Sequence, residues 1–355
     1  MIEKLKLPFV GALFAVVSIA LVVLGNPGNM GLCVACFLRD TAGAIGLHNA
    51  AAVQYARPEV IGIVLGALIV SLITKEFAPK GGSAPITRFM LGACVMVGAL
   101  IFLGCPTRMV LRIAGGDLNA IVGLFGFAAG IFGGMFFLNK GFSLKRTYSI
   151  AKTDGAVLPF ASILLLIALI FFPMLLNFSE SGPGSLHAPM IIALIAGLLM
   201  GGVGFISRLC FVAGIRDSVL FKNFSMLSAF VALLVVGIVG NIIFGEFNLG
   251  IENQPVAHTD GLWNFLGLGL VGFGSVLLGG CPFRQVVMAG SGNSDSVAAV
   301  FGMIFGAALA HNLSLASSTA GVSERGSIGF AVAAAIVLAV AIYNTFFNKK
   351  VRENT

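Results

Sequence analysis

GLCVACFLRD at residues 31–40 returns as RLCFVAGIRD at 208–217, and FLGCPTR at 102–108 returns as LGGCPFR at 278–284. The first pair aligns Cys33 with Cys210 and Arg39–Asp40 with Arg216–Asp217. The second aligns Gly104 with Gly280, Cys105 with Cys281 and Arg108 with Arg284. The two motif cysteines lie 72 residues apart in the first half and 71 in the second, so the two motifs repeat at offsets that differ by a single residue. Three glycine pairs continue the match: Gly116 with Gly292, Gly126 with Gly302 and Gly130 with Gly306. Two cysteine motifs seldom repeat at nearly one offset by chance, and the chain reads as an internal duplication.

The medium in which the duplicated unit folds follows from composition. Apolar residues make up 58% of the 355 and charged residues only 10%, against roughly 25% charged in a soluble domain. The mean hydropathy is +1.04. So few charges cannot cover a water-facing surface, and the solvent must be a lipid bilayer. The 47 glycines and 31 phenylalanines suit helices that approach closely in lipid. The net charge of +7 does not point to nucleic acid, because Lys and Arg lie almost entirely between the apolar runs. The start, MIEKLK followed by an apolar stretch, is read as a retained first helix rather than a cleaved leader.

Apolar stretches able to cross the hydrocarbon core recur about ten times, near 8–25, 59–75, 88–104, 118–138, 156–177, 188–207, 224–245, 261–279, 296–313 and 327–347. Alternate connections then fall on opposite sides. One side receives 16 cations, from Lys4 and Lys6 to Lys349, Lys350 and Arg352. The other receives only Arg39, Arg57, Arg108, Arg112 and Arg325. The positive-inside rule puts both termini in the cytoplasm. Five crossings separate equivalent points of the duplication, an odd number, so the two halves are inverted with respect to each other.

The expected fold is therefore all-α: a polytopic membrane protein of about ten spans with short re-entrant half-helices, the halves forming an hourglass. The first inverted repeat covers 1–155, with re-entrant segments near 28–47 and 105–115. A connecting span at 156–177 leads to the second repeat at 178–320, with re-entrant segments near 209–222 and 281–290. A last span occupies 327–347, and the whole is one membrane domain.

Gly-Cys-Pro-x-Arg carries the chemistry. Each copy stands between a span and a segment too brief to cross. Proline is favoured at the first helical position, where its missing N–H costs nothing. Pro106 and Pro282 thus predict Cys105 and Cys281 at helix N-caps, with free N–H groups and the positive end of the helix dipole converging on the sulfur. Such a position attracts anions and activates a thiol. Gly104 and Gly280 are expected to let a ligand or another backbone approach. Arg108 and Arg284, in the first turn, are candidate partners of an anion or of nearby carbonyls.

The remaining polar residues read more plainly. Cys94, without a repeat partner, is a packing residue. Arg39 and Arg216 are secondary pathway candidates beside a simpler reading as local ion pairs with Asp40 and Asp217. Cys33 and Cys36 form a CxxC, which admits redox or metal chemistry, yet Gly214 stands where Cys36 would repeat. His48, His187, His258 and His311 show no metal-ligand spacing, and His311 reads as a packing residue before a proton shuttle. Trp263 reads as an interfacial anchor. Asn26-Pro27-Gly28 has no repeated counterpart. Neither a phosphate loop, a nucleophile elbow nor a zinc motif is visible, so no catalytic residue, metal or cofactor is called for.

At these residues the sequence resembles the YeeE/YedE family of transporters of thiosulfate and other sulfur compounds, and especially its YedE-like branch associated with selenium. The resemblance extends over the duplication, the Cys33 and Cys210 segments and both Gly-Cys-Pro-x-Arg segments. It implies uptake of a small sulfur- or selenium-containing anion, passed along a central pathway by cysteine thiols. By motif the relay is Cys33, Cys105, Cys210 and Cys281. The thiosulfate branch typically carries other residues after the cysteine than Pro-x-Arg, which leaves thiosulfate and a selenium species both open. The resemblance also implies a bacterial inner membrane and a small cytoplasmic sulfurtransferase-like partner. Two other classes compete: a membrane thiol-redox protein relaying electrons through cysteine pairs, and a passive channel for a small solute.

Overall fold

The computed structural model describes residues 2–347, with side chains from residue 7 onward. The side chains of Lys4 and Lys6, and Lys349, Lys350 and Arg352 altogether, lie outside the described residues. The architecture is all-α. Helices α1 (Ile2–Val23), α2 (Val34–Ala44), α3 (Pro58–Ile73), α4 (Pro85–Phe102), α5 (Pro106–Ala114) and α6 (Asn119–Asn139) make up the first half. A short α7 (Lys152–Gly155) and the apolar α8 (Val157–Phe171) follow. The second half contains α9 (Met190–Ser207), α10 (Phe211–Leu220), α11 (Ser225–Phe244), α12 (Gly261–Leu278), α13 (Pro282–Gly290) and α14 (Ser294–Asn312), and α15 (Glu324–Ile342) comes last. Among the described residues, eight stretches are long and apolar enough to cross a membrane, and Leu7–Val23 and Val157–Phe171 are shorter apolar helices. The chain is an all-α polytopic membrane protein.

The long helices associate across the two halves, α6 with α12, α4 with α14, α3 with α9 and α1 with α11. Exchanging α1–α6 for α9–α14 turns each of these pairings into another: α6·α12 becomes α14·α4, and α3·α9 becomes α11·α1. The partners run parallel. Gly126, Gly130 and Gly134 of α6 meet Phe265, Gly269 and Val276 of α12 in ascending order.

Lipid supplies no hydrophobic force between helices, so close backbone approach does the holding. The repeated glycines lie at these crossings. A Cβ on Gly126 would stand 2.0 Å from the Phe265 carbonyl oxygen, and one on Gly302 2.0 Å from that of Phe89. Gly130 and Gly306 repeat the arrangement against Gly269 and Ala93. The third pair, Gly116 and Gly292, takes positive φ (94° and 102°) in the turns that follow α5 and α13.

The connections tie the two ends of the bundle. At one end β1 (Lys80–Gly81) pairs antiparallel with β2 (Tyr148–Ser149), and Lys80 also bridges Asn293. At the other end Asp117 bridges Gly250, and Arg57 donates to the carbonyls of Pro183 and Leu186. Four of the five cations assigned to that second end, Arg39, Arg57, Arg108 and Arg112, are fully buried. They hold structure together rather than face solvent. Arg112 pairs with Asp117 at 2.6 Å, donates to the Phe102 carbonyl and lies over the Phe102 ring.

Two substitutions probe these contacts. Asp117→Asn leaves the Arg112 charge buried without its partner and costs about 3–5 kcal/mol. Gly126→Leu forces α6 off α12 and costs about 1–3 kcal/mol or more. Both appear as lower thermal midpoints in detergent, with Gly133→Leu as control, since a Cβ at Gly133 meets nothing nearer than 4.0 Å.

Candidate functional site

Four short helices begin inside the protein, and a repeated cysteine stands at the N-cap of each: Cys33 for α2, Cys105 for α5, Cys210 for α10 and Cys281 for α13. For α5 and α13 the local cause is the one expected, proline at N1. The preceding helices α4 and α12 both end in a left-handed residue, Leu103 (φ 63°) and Gly279 (φ 82°). That turn reverses the chain before the cysteine. Helices α2 and α10 begin without proline, at Val34 and Phe211, so their N-caps were not signalled in advance. In α2 the cap is explicit, with the Cys36 amide donating to Cys33 Sγ at 3.4 Å.

The four caps meet in two pairs. Cys33 Sγ lies 3.8 Å from Cys105 Sγ, and it donates to Cys36 Sγ at 2.7 Å. The amides of Ala35 and Arg108 lie close to the Cys105 sulfur, so the N-termini of α2 and α5 converge on one spot. In the second half Cys210 and Cys281 are within hydrogen-bonding reach of each other. The amides of Val212 and Ala213 approach Cys210, and those of Phe211 and Arg284 approach Cys281. All four thiols are free and buried. Each pair thus sits where two helix dipoles present their positive ends, about half an elementary charge apiece. Around the second pair three rings gather, with Phe14 edge-on to Phe211 (6.0 Å) and to Phe283 (5.5 Å).

The repeated arginines differ. Arg108 is fully occupied: it donates to the carbonyls of Leu103, Asn29, Pro255 and Val256 and reaches Cys36 Sγ at 3.8 Å. Arg284 makes no hydrogen bond or ion pair to the described residues, and its Nη1 is buried without a partner. Gly104 and Gly280 lie against the side chains of their own segments. A Cβ at Gly104 would lie 2.7 Å from Arg108 Cδ, and one at Gly280 2.9 Å from Arg284 Cγ. Each glycine makes room for the stem of its own arginine to fold back over the half-helix start.

Arg39 binds Asp40 through Nε and one Nη at 2.8 and 2.7 Å, and Arg57 takes the other carboxylate oxygen at 2.8 Å. The repeat mates Arg216 and Asp217 pair at 2.8 Å but are partly exposed, 25% and 22%. His48 Nδ1 accepts the Ala50 amide, so its proton is on Nε2 and donates to the Arg39 carbonyl at 3.0 Å. Burial pushes the His48 imidazole below its ordinary pKa and keeps it neutral. His311 packs on it at 4.6 Å, and Cys94 is buried within α4 away from the caps.

Two polar residues carry more than the sequence suggested. Asn26 donates to Glu59 Oε1 (2.8 Å) and the Gly31 carbonyl and accepts from the Ala188 amide, so it knots α1, α3 and α9 together. Glu59 is fully buried with Oε2 unpartnered. A lone polar residue has no periodicity, and nothing in the sequence around Asn26 marked it as a hub.

Residues 206–352, which span α10 to α15, match the family model described as sulphur transport. The matched stretch contains Cys210, Cys281 and Arg284 and leaves the first half outside it. No curated protein matches the chain. The second half is thus similar to sulphur transporters, and that similarity points to transport rather than catalysis.

The two arginines should part company in a stability measurement. Arg108→Ala strands several carbonyls and lowers the midpoint of thermal unfolding by the equivalent of about 1–3 kcal/mol. Arg284→Ala breaks no protein hydrogen bond and stays within about 0.5 kcal/mol of the parent. Equal losses in the two would mean that Arg284 is bound to structure after all.

Proposed function

We propose that this chain is a transporter of the YeeE/YedE kind, taking up a small sulfur- or selenium-containing anion through two thiol stations. The observation that carries the reading is the placement of all four repeated cysteines at N-caps of buried half-helices, paired where two helix N-termini converge. Buried N–H groups and dipole ends favour a negative charge. The thiols offer weak, polarizable S–H donors to the soft atom of thiosulfate or a selenium species, which hard donors serve poorly. Cys33 and Cys105 form one station, and Cys210 and Cys281 the other. Arg284, with an unengaged guanidinium beside the second station, holds the charge of the anion. Arg108 holds the frame of the first.

In this reading the halves are inverted copies, 1–155 and 178–320, joined by 156–177. The exchange of helix pairings between halves and the parallel run of the partners support that arrangement. Both termini face the cytoplasm of a bacterial inner membrane. Burial of Arg39, Arg57, Arg108 and Arg112 supports this orientation, because it leaves the opposite face nearly without free cations. The anion is released towards a small cytoplasmic sulfurtransferase-like partner.

A second reading has one observation in its favour. The close approach of Cys33 and Cys36 (2.7 Å) suits a thiol pair that exchanges electrons. Uptake of labelled thiosulfate and selenite by cells expressing single variants separates the two. Transport by cysteine relay expects Cys105→Ala and Cys281→Ala to fall to background and Cys36→Ser to keep most of its rate. Loss with Cys36→Ser and tolerance of the others would replace it with the redox reading. Undiminished uptake in Cys33→Ala, Cys105→Ala, Cys210→Ala and Cys281→Ala alike would sink the relay.

A further inference from the structure

A cavity of about 450 Å³ lies at the end of the bundle that bears the Arg57 and Asp117 ties, and Leu103, two residues before Cys105, is among its lining residues. It opens between exposed Ser314, Ser318 and Thr319 and reaches inward to Arg39, His311 and Ser317. Three polar groups there lack protein partners. Arg39 is 2% exposed, and with Nε and one Nη on Asp40 its other Nη makes no hydrogen bond to the described residues. Ser317, 8% exposed, has its Oγ unpartnered, and so is His311 Nε2. A buried hydroxyl without a partner loses on the order of 1–3 kcal/mol, so the arrangement calls for a ligand. No carboxylate lines the cavity. Asp40 stands behind Arg39 and fixes its orientation without facing the space.

We propose that this vestibule is a docking site for the oxygen end of a small oxyanion, placed before the Cys33–Cys105 station. The proposal rests on the anion-transport reading and adds a division of labour to it. The guanidinium, the hydroxyl and the imidazole are hard donors and grip oxygen atoms without regard to what else the anion carries. The thiols beyond Leu103 act on the soft atom. Oxyanions are therefore sorted twice, first by charge and oxygen geometry at Arg39, Ser317 and His311, then by the presence of a terminal sulfur or selenium. Sulfate, which has the oxygens and lacks the soft atom, occupies the vestibule and goes no further.

Sulfate is accordingly the probe. The full chain, purified in detergent or nanodiscs, is titrated with sodium sulfate against sodium chloride at matched ionic strength, with binding read by calorimetry. Saturable sulfate binding is expected. Ser317→Val and His311→Leu should each weaken it about tenfold, the loss of one hydrogen bond to a charged group. Cys94→Ala, a packing residue of α4 that does not line the cavity, should leave it unchanged. Ser317→Ala repeats the test with a smaller disturbance, and a monodisperse elution profile establishes that each variant is folded. In cells, sulfate should compete with labelled thiosulfate uptake, and less so in Ser317→Val. Absence of saturable binding, an affinity in the Ser317 and His311 variants equal to that of the parent chain, or an equal loss in Cys94→Ala would each overturn the vestibule. Thiosulfate uptake surviving any of these results would leave the transport reading intact. Sulfate binding without uptake of any sulfur or selenium anion would remove that reading and leave an anion site alone.

Discussion

A helix that begins inside the protein leaves its first backbone N–H groups without intrahelical acceptors, and lipid offers none in place of water. Four half-helices of this chain begin in that way, and the side chain at each N-cap is a thiol. Serine or aspartate there would satisfy the amides and close the matter. Sulfur is a weak acceptor, so the amides remain receptive. Most other features follow from keeping those ends in place. The parallel pairs α6·α12 and α4·α14 approach through glycine so that the half-helices can be wedged between long ones. Left-handed turns at Leu103 and Gly279 turn the chain back at the required depth.

The two halves meet this constraint with different materials. Around Cys33 and Cys105 the backbone carbonyls are gathered by Arg108 and Arg112, and α2 is tied to the loops through Arg39, Asp40 and Arg57. Around Cys210 and Cys281 no ion pair among the described residues does this. Phe14, Phe211 and Phe283 pack there instead, and the Arg216–Asp217 pair reaches solvent. Met288 stands where Arg112 has its repeat. Relieved of structural duty, Arg284 keeps an unengaged guanidinium next to the thiols. Duplication supplied two arginines, and packing committed only one of them.

Much of this was legible in the residues themselves. Apolar length marks the spans, since a helix in lipid must close its own hydrogen bonds. Proline at N1 marks Cys105 and Cys281 as caps because its ring is compatible with one end of a helix only. Val34 and Phe211 carry no such mark, and the caps at Cys33 and Cys210 are visible only in the folded chain. The same limit applies to Gly104 and Gly280. A glycine announces close approach but not what approaches, and here it is an arginine stem from four residues on. The division of roles between Arg108 and Arg284 was equally hidden, for their motifs are alike. The difference arises from carbonyls of residues 29, 255 and 256, distant in sequence, which surround one arginine and not the other.

A pathway for anions has to hold its cargo without keeping it, and conduction requires sites weak enough to leave as well as favourable enough to reach. An exposed pair of arginines would bind an oxyanion through bidentate hydrogen bonds and release it slowly. Partial charges are gentler. A helix N-terminus contributes about half a charge, a thiol donates weakly, and the buried guanidiniums of Arg39, Arg57 and Arg112 are tempered by Asp40 and Asp117. Two full charges without a carboxylate partner remain, Arg108, spent on carbonyls beside the first thiol pair, and Arg284, unengaged beside the second. On the anion-transport reading, its place in the first turn of α13 makes it the strongest hold along the pathway, and the arginine that differs from its repeat mate is the one whose loss would change the affinity of the pathway rather than its architecture.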